Sequence, residues 1–226
     1  MDGRQPTGVM YVNTHVNDSS KEDEYDLWYR QVHFRDVTEP GIFVDATMFH
    51  NANRPPADGE GKFLAFYETF WDDVDAATEV FKKHVDQLAR ERQIHAGTVG
   101  VTFGIYKRVA LEFSGQRRPF SQSVCAFLFD ATDSADAEAL GRHYAEHCLG
   151  DAMGTGLFHT GSLHERVRSD AFADAAGEQP RFLALYESDL GDPRALASIL
   201  GEKLGVGALP KEASLRLASS FYRAAP

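Results

Sequence analysis

"KFLAFYE" (Lys62 to Glu68) and "RFLALYE" (Arg181 to Glu187) are nearly the same heptapeptide. Five of the seven positions match, and the two differences are Lys/Arg and Phe/Leu. So short a match is within reach of chance, so the flanking segments must decide whether the chain is a repeat. They agree. Ahead of the first copy, "GVMYVNTHV" alternates like a strand, and "NDSSKEDEYDLWYRQVHFRDV" reads as a helix. Asp18 to Ser20 offer its cap, acids fill its first turn, and Tyr25, Leu27, Trp28 and Val32 have helical apolar spacing. "EPG" ends that helix, and "IFVDATMFH" is a second strand. Ahead of the second copy run "SVCAFLFDA", a strand, "TDSADAEALGRHYAEHCLGDAM", a helix with cap candidates Asp133 and Ser134, and "GLFHTGSLHERV", a strand. Each copy is followed by a helix ("DDVDAATEVFKKHVDQLARER" and "DPRALASILGEKL") and a closing strand ("VTFGIYKRVALEF" and "ASLRLASSFYRA").

The order is therefore βαββαβ, written twice. Trp28-Tyr29 corresponds to His143-Tyr144 at an offset of 115, which Asp36/Asp151, Gly41/Gly156 and Phe43/Phe158 keep. The heptapeptides stand 119 apart because the second hairpin loop is longer. The polar, proline-containing "SGQRRPFSQ" links the halves, giving repeats over 1–115 and 121–226. The expected fold class is α+β: two tandem ferredoxin-like repeats whose antiparallel sheets pack into an α/β barrel.

In such a repeat both helices cover one sheet face, and the other must bury elsewhere. Alternation in the first strand gives Met10, Val12 and Val16 as one set and Tyr11, Asn13 and His15 as the other. The second repeat gives Cys125, Phe127 and Phe129 against Ala126, Leu128 and Asp130. The more uniformly apolar sets are assigned to the helices. The mixed sets then face the opposite sheet, which predicts a partly polar barrel interior where a small ligand binds.

A chain of 226 residues, 43% hydrophobic and 25% charged, is long enough for a substantial core. The formal net charge of −11 disfavours nucleic acid and anionic membranes as partners. No apolar run reaches the roughly 18 residues that span a bilayer, and "MDGRQPTG" has no signal-peptide pattern. Cys125 and Cys148 form no CxxC pair, so they read as free thiols and the expected location is the cytoplasm.

"WYRQVHFRDVTEPGIF" (Trp28 to Phe43) resembles the helix signature of the EthD-like group of the dimeric α/β-barrel superfamily: an aromatic pair, then a histidine, then an entry into the next strand. "KFLAFYE" resembles that group's third strand. The resemblance covers the first repeat well, with the second as a degenerate copy. It implies that one chain completes a barrel that single-repeat relatives complete by dimerising, so the expectation is a monomer or a homodimer. The superfamily includes polyketide cyclases, isomerases, dehydratases, cofactor-free monooxygenases and haem enzymes, so it bears on fold more than on reaction.

His33 and Asp36, three apart on the first helix, are the leading catalytic candidates, Asp36 orienting the imidazole. The alternative is a histidine complementing the helix dipole. His15, Tyr11 and Asn13 form a row that could hold a carbonyl oxygen and move a proton, or else a strand end facing water. Asp45 and Thr47 share a strand face with Phe43 and Phe49, as Thr160, Ser162 and His164 do with Phe158. Trp28, Tyr67 and Tyr106 are aromatic wall candidates, with core packing as the other reading. "HYAEHCLGD" (His143 to Asp151) spaces two histidines and an aspartate along one helix face, but no further ligands accompany them and no metal site is expected. At constant offset His33 faces Cys148, and His147 matches it only through a one-residue slip; it is the reserve candidate.

The expected function is acid/base chemistry without a cofactor (cyclisation, dehydration, decarboxylation or isomerisation) on a small aromatic or polyketide-like molecule. A haem or cofactor-free oxidoreductase and a non-catalytic binding protein are the alternatives. There is no CxxCH, GxGxxG or P-loop, and nine histidines leave room for non-covalent haem.

Overall fold

The eight strands close into one antiparallel barrel in the order β1-β3-β2-β8-β5-β7-β6-β4. A computed structural model of the chain describes residues 2, 4–53, 55–56, 60–91, 95, 97–114, 121–132, 136–169, 179–196, 198 and 213–223. The first repeat contains β1 (Gly8–Val16), α1 (Glu22–Trp28), a π-helical turn (Tyr29–His33), α2 (Phe34–Thr38), β2 (Asp45–Asn51), β3 (Phe63–Thr69), α3 (Val74–Arg90) and β4 (Thr98–Phe113). The second contains β5 (Ser123–Ala131), α4 (Ala137–His143), a π-helical turn (Tyr144–Cys148), α5 (Leu149–Gly154), β6 (Thr160–Arg166), β7 (Phe182–Ser188) and β8 (Ala213–Tyr222). The linker core 115–120, the cap candidates Asp133 and Ser134, and most of the helix expected over 192–204 lie outside the described residues.

Each repeat alone would present two open sheet edges, which invite further strand pairing. Both edges are used. Strand β4 runs for 16 residues because its first part pairs with β1 and its second with β6, from Tyr106↔Arg166 to Phe113↔Thr160. At the other junction β2 meets β8 through His50↔Tyr222 and Asn51↔Phe221.

The two helical segments also repeat in detail. Gly41 (φ +74°) and Gly156 (φ +73°) end them in the left-handed region, where glycine carries no side-chain penalty. The π turns coincide at the same offset of 115: Phe34 N–H donates to Tyr29 O, and Leu149 N–H to Tyr144 O. There is no slip between the copies. His33 therefore corresponds to Cys148, and His147 corresponds to the exposed Val32.

The alternation along β1 and β5 sorts as expected. Met10 and Val16 pack under the first-repeat helices with Tyr25, Tyr29 and Phe81, and Cys125 and Phe129 pack under the second-repeat helices with Tyr144 and Leu149. Tyr11, Phe66 and Tyr106 meet Ala126, Leu128, Leu185 and Phe221 inside the barrel. The expectation of a ligand cavity there is corrected. Tyr11, Leu64, Phe66, Tyr106 and Phe221 are each 0% exposed and fill the interior. An eight-stranded barrel can be filled by its own side chains or hold one small ligand, and here aromatic residues from two sheets take up the middle.

Candidate active site

The space for a ligand lies outside the barrel, between the first-repeat sheet and its helices. Helix α3 reads "VDAATEVFKKHVDQLAR"; Asp73 caps it by accepting from Ala76 N–H at 2.9 Å, and Phe81, Val85 and Leu88 share one face. That face, the π turn and the outer face of β1 and β4 enclose a pocket of about 280 Å³. Met10, Val12, Thr14, Tyr67, Thr98 and Thr102 form its floor, and Trp28, Tyr29, His33, Val37, Phe81, Val85, Leu88 and Phe103 its walls. Gly100 also lines it and is exposed, which marks the opening.

The π turn shapes the reactive wall. In an α-helix, residues five apart point to different faces. The wider turn brings Trp28 and His33 together, with ring centroids 4.8 Å apart and planes 21° apart, while Tyr29 meets the same imidazole edge-on at 4.7 Å and 72°. His33 makes these ring contacts and no hydrogen bond to a described residue. Burial lowers its pKa to about 4, so the ring is neutral at physiological pH. Across from it, burial pushes the Tyr29 and Tyr67 phenols above the usual tyrosine range, and neighbouring phenols add to this. Their hydroxyls are neighbours, but the geometry falls short of a hydrogen bond, and Tyr67 Oη is buried without a partner. The pocket thus joins an apolar slot to one unbonded imidazole and one unbonded hydroxyl. Such groups suit a flat molecule that gives up a proton at one point and carries an oxygen at another.

Of the residues singled out in the sequence, the structure brings together His33, Trp28 and Tyr67. It separates the others. Asp36 does not orient His33: its carboxylate is buried with Oδ2 unpaired, and its main-chain carbonyl accepts from His84 Nε2 at 2.7 Å. Tyr11 points into the barrel, edge-on to Phe66, with its hydroxyl buried and unpaired. Asn13 accepts from Gly61 N–H at 2.6 Å and donates to Phe63 O at 2.9 Å, so its amide is used by the backbone. His15 sits half-buried near the end of β1 opposite Val99, away from the pocket. Asp45 pairs with Arg4 at 2.8 Å at a barrel end, beside the Arg4–Glu68 pair at 2.6 Å. Tyr106 lies inside the barrel and donates to Pro180 O at 3.3 Å. Phe43 packs on Phe81 in the helix layer, whereas Phe49 faces inward. His164 is buried inside the barrel, where burial and then Arg108 lower its pKa to about 3. His143 and His147 lie exposed with their rings tilted by 58° at 5.0 Å, so the reserve candidate is away from the first-repeat pocket. Among the described residues no cluster of three or more His, Cys, Asp or Glu could hold a metal.

Tyr29, Phe81, Val85, Leu88 and Phe103 were missed as site residues because their spacing is that of core. The signal available was the contrast between repeats at Val12/Phe127 and Thr14/Phe129.

If His33 is the base, the acid limb of kcat/KM is expected near pH 4 rather than near 6.5, because the working form is the neutral one above its pKa. A pH–rate profile checks this.

No family model and no curated protein matches the chain. Solved structures do. A DyP-type peroxidase from Mycobacterium smegmatis superposes with TM-score 0.59 at 9% identity, covering 98% of this chain and 93% of that one. An anthrone oxidase-like protein gives 0.52 at 11% identity over 98% and 93%. A major regulator of staphylococcal pathogenesis gives 0.50 at 12% identity over 96% and 99%. These likenesses concern fold. With its two repeats closed into one eight-stranded barrel, the chain shares its fold with these structures, both halves of the barrel being supplied by a single polypeptide.

Proposed function

We propose that this protein is an oxidoreductase that binds a flat, uncharged aromatic molecule in the first-repeat pocket and removes a proton from it with His33. The carrying observation is the pairing of an unbonded neutral imidazole with the buried, unpaired Tyr67 hydroxyl in one apolar pocket. A C–H or O–H of the substrate gives its proton to His33. The electron pair left behind spreads onto the substrate oxygen, and Tyr67 O–H donates to that oxygen. Because the pocket lining is largely apolar, this hydrogen bond is stronger than it would be in water. Trp28 holds the imidazole plane and restricts the orientation of the ring that stacks beside it.

Proton removal would serve a cyclase or isomerase equally well. Oxidation is preferred as the following step because fold neighbours include a peroxidase and an anthrone oxidase-like protein. Molecular oxygen is the co-reactant: a methylene and O₂ become a carbonyl and water. An oxygen electrode with aromatic ketones or phenols as substrates tests this. Product formed without oxygen uptake would return the reaction to the lyase or isomerase class.

Haem fits the described lining poorly. His33 is a ligand an iron would accept, but no Lys or Arg lines the pocket to meet two carboxylates, and 280 Å³ is at the small end for cofactor sites, which run to about 1,000 Å³. Titration with hemin is expected to produce no His33-dependent Soret band; a band lost in His33→Ala would reverse this assignment.

A further inference from the structure

The second repeat has the frame for the same pocket. Its π turn is in place, Tyr144 and Tyr186 stand where Tyr29 and Tyr67 stand, and the strand registers are equal: Met10↔Tyr67, Val12↔Ala65 and Thr14↔Phe63 against Cys125↔Tyr186, Phe127↔Ala184 and Phe129↔Phe182. The floor positions differ. Where β1 offers Val12 and Thr14, β5 offers Phe127 and Phe129. Phe129 stacks on Tyr144 at 5.0 Å and on Phe182 at 5.4 Å, and Phe127 meets Tyr186 edge-on at 5.9 Å. The two hydroxyls that are neighbours without a well-formed hydrogen bond in the first repeat are hydrogen-bonded here, Tyr144 to Tyr186 at 2.8 Å. Aromatic rings thus occupy the floor positions that are small in the first repeat, and the two tyrosine hydroxyls satisfy each other.

We infer that Val12 and Thr14 are the specificity-determining residues of the site: they set its depth, admit a fused-ring ligand, and restrict the chain to one such site, the second being plugged by Phe127 and Phe129. The inference rests on the pocket proposed above, although it concerns binding and not turnover. Val12 lies between Met10 and Thr14 on the floor, opposite the wall formed by Trp28 and His33. A ring lying flat against Trp28 must pass over Val12. A phenyl group at position 12 would occupy that path, as Phe127 does in the other repeat. Thr14 contributes differently. Its Oγ1 accepts from Tyr25 O–H at 3.0 Å, which keeps its own polar atom turned away from the apolar slot. Phe129 has no such partner and lies flat on Tyr144 instead.

The probe is 1,8-dihydroxyanthraquinone, a neutral three-ring molecule followed by its visible absorbance and by calorimetry. Wild type is expected to bind one equivalent per chain. Val12→Phe, which leaves the Thr14–Tyr25 bond intact, is expected to weaken binding at least tenfold with little change in Tm. Val12→Phe with Thr14→Phe is expected to abolish it. Val12→Ala, which enlarges the slot, is expected to keep or strengthen binding, and it carries the test if the bulky variants do not fold. Phe127→Val with Phe129→Thr is expected to lower Tm, with the probe restoring part of the loss and a second equivalent bound. Equal affinity for wild type and Val12→Phe overturns the inference, as does two-site binding to wild type or a failure of Val12→Ala to bind. Binding that obeys these expectations without any oxygen uptake would remove the oxidoreductase reading and leave this one standing.

Discussion

His33→Ala is expected to lower kcat by about 10²- to 10⁴-fold, the usual contribution of a positioned acid or base, while KM changes by only a few fold. The split follows from the geometry. The imidazole is one wall group among many, and Trp28, Phe81, Leu88 and Phe103 still enclose the ring when it is removed. Among the described residues no other titratable side chain but the tyrosines lines the pocket, and burial keeps those phenols protonated far above neutral pH. Steady-state kinetics on an accepted substrate decide the matter. An unchanged kcat removes the catalytic role, and a KM effect alone would make His33 a packing residue. His33→Gln separates the two possibilities further, since it keeps a polar group of similar reach that cannot take up a proton.

Asn13→Leu is expected to act on stability and not on the site. Gly61 is pressed so close to β1 that a Cβ there would lie 2.4 Å from Thr14 O, and the amide of Asn13 holds this contact in place. Leucine leaves the buried Gly61 N–H without its acceptor and removes the donor to Phe63 O. Each buried polar group left unmatched costs about 1–3 kcal/mol, so a loss of about 2–6 kcal/mol is expected for the two. For a chain of this size each kcal/mol lowers Tm by about 2–4 °C. Thermal unfolding should therefore show a drop on the order of 5–15 °C, with kcat/KM measured below the transition staying within about threefold of wild type. A variant that loses binding at unchanged Tm would place Asn13 on the ligand instead.

The repeat was legible without coordinates because it is a matter of residue identity at a constant offset. The alternation along β1 likewise named the correct helix-facing and barrel-facing sets, since the period of a strand is two whatever it packs against. The site was only partly legible. His33, Trp28 and Tyr67 were picked out, but so were Tyr11, Asn13, Asp45 and Tyr106, which turn inward or pair at a barrel end. Spacing along one strand gives a face and does not say whether that face meets empty space or another sheet's aromatics. Asp36 was assigned to His33 by counting three residues along a regular helix; the π turn just before it changes what lies on which face, and nothing in "WYRQVHFRD" announces an extra residue in the turn.

The sequence by itself determined a duplicated ferredoxin-like plan, the order of its elements along the chain and the sidedness of β1 and β5, because these depend on local periodicity and on one half repeating the other. Only the tertiary structure decided which side of the sheet is hollow. Whether a layer closes depends on the sum of side-chain volumes arriving from separate elements. Inside the barrel Tyr11, Phe66, Tyr106 and Phe221 meet and fill the middle. In the second repeat Phe127 and Phe129 put aromatic rings on the floor positions, against Tyr186 and Tyr144. Under the first-repeat helices Val12 and Thr14 are too small to do so, and the space beneath His33 stays open.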